Sequence, residues 1–64
     1  MDNIRLSDEL FARVKAYAIE KGQIRIGYIQ RDFSVGYIKA KSIFDRLVAE
    51  DIGEVNREGF LIVR

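Results

Sequence analysis

The apolar pattern changes period near Asp51, and that change restricts the fold more than any other feature of the chain. Before it, apolar residues recur at three- and four-residue steps, the spacing of a helix face. After it they come in short extended runs. Leu10, Phe11, Val14, Tyr17 and Ala18 share one face of a helix expected over residues 8–21. Ser7 is its expected N-cap, because a hydroxyl there can accept a free backbone N–H. Asp8 and Glu9 follow at the positive end of the helix dipole, and Gly22 is placed to stop the helix in the left-handed conformation. Ile24-Arg25-Ile26 alternates and reads as a short strand. Gly27 then caps a brief second helix over residues 28–33, and Ser34-Val35-Gly36 turns the chain. A third helix runs from position 35 or 36 to about 50, with Tyr37, Ala40, Ile43, Phe44 and Leu47 on its apolar face.

Beyond Asp51, residues 52–55 and 60–63 are extended, and the polar stretch Asn56-Arg57-Glu58-Gly59 between them reads as a hairpin turn. Helix, strand, helix, turn, helix and hairpin make a small α+β winged helix-turn-helix, with three helices, a short strand and a β-hairpin wing. One domain accounts for residues 1–64. Its core is expected to set Phe33, Tyr37, Ile43, Phe44 and Leu47 against Leu10, Val14, Tyr17 and Phe60.

The core must hold without help, because there is no cysteine and no histidine. Disulfides and thiolate metal sites are excluded. So is the commonest general base, and Ser7, Ser34 and Ser42 have no histidine partner for a triad. Gly22, Gly27 and Gly36 do not make a phosphate-binding loop. Asp45, Glu50 and Asp51 cluster at a helix end, where carboxylates are ordinarily solvated. The chain therefore reads as a non-enzyme with no cofactor, no metal and no small-molecule substrate. No apolar run is long enough to span a bilayer, and residues 1–20 do not resemble a signal peptide. A cytoplasmic location and no membrane partner are expected.

The net charge of +1 hides an uneven distribution. Arg25, Arg31, Lys39, Lys41 and Arg46 stand against only Asp32 and Asp45 in the middle third, and the last third is acidic. With Ala40 at the centre of the buried face, the third helix offers Ile38, Lys41, Ser42, Asp45, Arg46 and Ala49 outward, with Lys39 at the edge. Such a face suits phosphates and base edges in the major groove of double-stranded DNA. Lys39, Lys41 and Ser42 are the main candidates for contact, and Ile38 is a candidate for an apolar contact such as a thymine methyl. Arg31, Arg46 and Arg57, the last at the hairpin tip, are candidate phosphate clamps. A protein-interaction module on the same scaffold is the alternative, favoured by the weak net charge and by Ile38.

The stretch from Tyr28 to Leu47 resembles the gamma domain of the FtsK/SpoIIIE DNA translocases. Gln30, Arg31, Phe33, Gly36, Tyr37, Lys39, Ala40, Ile43 and Asp45 stand where that family has Gln-Arg-x-Phe, a short turn, Gly-Tyr, a basic residue, Ala and Ile-x-Asp. Asp8-Glu9-Leu10-Phe11 resembles the opening of the family's first helix, and Glu50-x-Ile52 the close of its third. The resemblance implies a winged helix that reads short G-rich polarity signals on chromosomal DNA. It also implies a translocase motor domain or, as in some members, a Xer-type recombinase as partner. Departures fall on the reading helix: Ile38 replaces an Asn and Ser42 replaces an Arg, the residue that pairs with guanine. Asp51 replaces the usual Gly at the end of that helix.

Overall fold

The computed structural model describes the backbone of residues 2–64 and the side chains of residues 8–64. Among the described residues the order is α1 (Asp2–Lys21), β1 (Gln23–Ile24), α2 (Ile26–Phe33), α3 (Tyr37–Ala49), β2 (Gly53–Val55) and β3 (Leu61–Val63). This is a small α+β winged-helix fold.

Helix α1 starts earlier than its apolar face suggests. The segment before Asp8 holds neither Gly nor Pro, so nothing in it breaks a helix. Ser7 therefore lies within the helix and is not its N-cap; its side chain is outside the described residues. The other end is as expected. Gly22 takes φ 82°, and its N–H donates to the Ala18 carbonyl at 2.8 Å, satisfying one of the free carbonyls of the last turn.

The chain then runs straight into the sheet. Strand β3 is central and pairs antiparallel with both β1 and β2, giving the order β1-β3-β2. Ile24 faces Leu61, Gly53 faces Val63 and Val55 faces Leu61. The short strand read at residues 24–26 is thus the third strand of the wing sheet, beginning one residue earlier and ending two earlier, at Gln23–Ile24. Ile26 belongs to α2 instead, whose N-cap is the extended Arg25 and not Gly27. Ile29 is buried, and the two added residues bring Ile26, three positions before it, onto the same side of α2.

Between α2 and α3, Ser34 adopts φ 55° and Gly36 is the extended N-cap of α3. Helix α3 buries Ala40, Ile43, Phe44 and Leu47 against Phe11, Val14 and Ala18 of α1, Ile24 of β1, Ile29 of α2 and Leu61 of β3. Phe33 and Tyr17 are half-buried and meet edge to face at 5.5 Å between ring centroids. Phe60 is half-buried and packs in the same way on Tyr28 at 5.6 Å. Tyr37 departs from expectation: it is 54% exposed. It opens α3 a turn ahead of Ala40 and looks across to α2 and the wing turn, so helical spacing alone misplaces it.

Candidate nucleic-acid interface

The wing turn is built by one side chain. The Asn56 carboxamide oxygen accepts the N–H groups of Glu58 and Phe60, each at 3.0 Å. The Asn56 N–H donates to the Phe60 carbonyl at 2.8 Å, and the Gly59 N–H to the Asn56 carbonyl at 3.1 Å. Asparagine fits this place because its side chain can imitate a backbone acceptor within a turn. Arg57 is thereby held at the exposed tip, and among the described residues no ion pair involves it.

Helix α3 is 13 residues long, or ~20 Å, and a helix ~10–12 Å across matches the ~12 Å width of the DNA major groove. Its outward stripe is Ile38, Ser42 and Ala49, all exposed. Ile38 is 85% exposed, more than any other large apolar side chain described. Lys41 and Asp45 flank the stripe on one side and are joined at 2.9 Å, one helical turn apart. The Asp45 carboxylate pushes the Lys41 ammonium above its ordinary pKa, chiefly through that hydrogen bond, so Lys41 stays charged but partnered.

Lys39, Ser42 and Arg46 lie on the other flank. With Phe11 and Ile43 they line a small recess of about 90 Å³ between α3 and α1. The Arg46 guanidinium lies 4.0 Å from the centre of the Phe11 ring, and its Nη1 is 3.2 Å from Asp8 Oδ1. Lys15 of α1 meets Glu50 at the far end of α3 at 2.6 Å. Two ion pairs therefore tie α1 to α3.

The structure brings Ile38, Lys39, Lys41, Ser42 and Arg46 together on one helix and puts Arg57 on the wing. Arg31 belongs to a separate group on α2 and α1. Its Nε is 3.0 Å from Asp32 Oδ1, its guanidinium stacks 5.2 Å from the Tyr28 ring centre, and the Tyr17 hydroxyl donates to Asp32. The Arg31 and Tyr17 hydrogen bonds hold the Asp32 carboxyl below its ordinary pKa, and Asp32 in turn raises that of the Tyr17 phenol.

Arg25 has a place that its sequence pattern does not reveal. It is exposed, stacks 5.2 Å from the Phe60 ring centre, and lines an open groove of about 310 Å³ with Gln30, Tyr37, Glu58 and Gly59. The groove joins the starts of α2 and α3 to the wing turn. Alternation makes Arg25 look like the middle of a strand, and only its charge, one of five cations in the basic middle third, hints at a surface role. Among the described residues there is no cluster that could hold a metal ion and no helix long and apolar enough to cross a membrane.

Residues 5–59 match the family model described as the Ftsk gamma domain. Over 45 residues, 70% of this chain, the sequence is 44% identical to the DNA translocase FtsK of Haemophilus ducreyi, and the chain spans only 5% of that protein's length. No solved structure matches the chain.

Proposed function

The chain belongs to the Ftsk gamma domain family, and from that premise we propose that it is a DNA-binding domain that recognises double-stranded DNA with a sequence preference. Helix α3 enters the major groove and the wing rests on the sugar-phosphate backbone. The observation that carries this reading is the outward face of α3, with Ile38 fully presented and Lys39, Lys41, Ser42 and Arg46 around it. In this arrangement the cations position the helix against phosphates, and Ile38 and Ser42 meet base edges. Arg57 clamps a flanking phosphate from the wing, and Arg31 serves as a clamp from α2. The domain itself does no chemistry. Its family context supports a translocase motor domain or a Xer-type recombinase as protein partner, with the cytoplasm, where chromosomal DNA lies, as its location.

The test is titration of a mixed-sequence duplex across a range of salt. Affinity should fall as salt rises, with a log–log slope of roughly −4 to −5, about 0.9 for each phosphate engaged by these five cations. A second reading has its own support: Ile38 and Tyr37 are adjacent, exposed and large, which also suits a protein surface. Absence of any duplex binding at low salt would favour that reading.

A further inference from the structure

We propose that the recess between α1 and α3 is a seat for one DNA backbone phosphate, and that Asp8 occupies the arginine of that seat when no DNA is bound. This rests on the DNA-binding reading and adds a residue of α1 to it.

The recess has the composition a phosphodiester requires. Lys39 and Arg46 supply two cations over a floor of Phe11 and Ile43, with Ser42 at its edge toward the bases. Phe11 is buried, and the Arg46 guanidinium lies over its ring with Cζ 4.0 Å from the ring centre. Stacking on an aromatic face leaves the edge N–H groups of a guanidinium free to donate. In the free protein one edge nitrogen, Nη1, points at Asp8 Oδ1 from 3.2 Å. That carboxylate oxygen marks where an anion sits against Arg46, and a phosphate oxygen can take its place without moving the guanidinium off Phe11.

Exchange is inexpensive because both partners are well exposed, with side-chain accessibilities of 50% for Arg46 and 62% for Asp8. An exposed pair of this kind holds weakly, whereas a charge-assisted bond from arginine to phosphate is among the stronger polar contacts. Lys39 pulls in the same direction, since among the described residues no ion pair holds it. DNA binding at this flank is therefore a swap of one anion for another. Asp8 weakens it by competing for Arg46.

The experiment is a double-mutant cycle on the whole chain, with Asp8→Asn, Arg46→Gln and the combination titrated against one duplex at fixed salt. Thermal melts of each variant establish that all are folded. Asp8→Asn should raise affinity about two- to fivefold, the factor an exposed ion pair can withhold, and should do so only when Arg46 is present. Arg46→Gln should lower affinity and reduce the salt slope by about 0.9. A single neutral methylphosphonate, moved along the duplex, should weaken wild type at one position where Arg46→Gln is indifferent. An equal rise from Asp8→Asn in the Arg46→Gln background would reduce Asp8 to a general repulsive charge and overturn the proposal. A loss of affinity in Asp8→Asn would overturn it too, by making Asp8 a support for Arg46. If wild type binds no duplex at low salt, the DNA-binding reading itself fails, an outcome distinct from binding without coupling between positions 8 and 46.

Discussion

A side chain at position 53 would have nowhere to go. A Cβ built on Gly53 meets the backbone carbonyl of Ile62 and the Cα of Val63, which are main-chain atoms of the central strand and cannot rotate away. Gly53→Ala should therefore destabilise the domain by at least ~1–3 kcal/mol, the usual range for forced overpacking. A thermal melt checks this: an unchanged midpoint would mean that β2 can peel from β3 at no cost. Asp32 acts through charge instead. Its folded pKa is lowered by Arg31 and Tyr17. Its contribution to stability is thus present above the ordinary carboxylate pKa of ~3.9 and disappears as pH falls through the lowered folded value. Melts of wild type and Asp32→Asn at neutral pH and near pH 3 should differ less at the acid end. A constant difference across pH would detach Asp32 from acid sensitivity. The effect should be small, because this group of side chains is solvent-screened.

Helix α3 has two faces with separate duties, and each can be changed alone. On the inward face Leu47 is fully buried. Leu47→Ala removes buried methyl groups and leaves a cavity, which should cost ~2–5 kcal/mol. In a domain of 64 residues that is a large share of a stability typically ~5–15 kcal/mol. Chemical denaturation measures it, and an unaltered midpoint would contradict the packing of α3. On the outward face Ile38 and Ser42 are both exposed, so substitution there should spare the fold and alter recognition. Ile38→Asn with Ser42→Arg restores the residue types of the resembling family. It should favour G-rich over A/T-containing duplexes by ~1–3 kcal/mol for each bidentate pairing it makes with a base. Paired titrations at equal salt decide it, since equal G-rich preference in wild type and double variant would remove these positions from specificity.

At the scale of the whole molecule, the wing and α3 belong to one surface only because β1 and β2 both hang on β3. Strand β1 leads directly from α1 and β2 follows α3, so the sheet fixes the hairpin relative to both helices. Asn56 then fixes its tip. Arg57 projects from that tip, and Arg57→Ala should weaken all duplexes alike and lower the salt slope by about 0.9 for the one phosphate no longer neutralised. A loss restricted to one sequence would make Arg57 a reader of bases. Arg57→Ala should leave the melting temperature almost unchanged, because the side chain is exposed and surface positions seldom move stability by more than ~0.5 kcal/mol.

Local periodicity and glycine placement were enough to determine the order of elements, the stop at Gly22, the inward face of α3 at Ala40, Ile43, Phe44 and Leu47, and the hairpin around residues 56–59. Those features follow from neighbours three or four positions apart, or from a backbone angle that one residue type tolerates best. The candidate surface was legible to the same extent, since the side opposite a known buried face must point outward. Partners distant in the chain were settled only by tertiary structure. Ile24 pairs with Leu61, which makes an apparently isolated strand the edge of the wing sheet. Tyr37 lies on the apolar side of α3 by spacing, yet it sits beyond the reach of α1 and opens onto a groove with Arg25 and Gly59. Arg46 and Asp8 are 38 positions apart, and they meet because α1 crosses α3 at Phe11. Spacing along one helix carries no information about what another helix places opposite it.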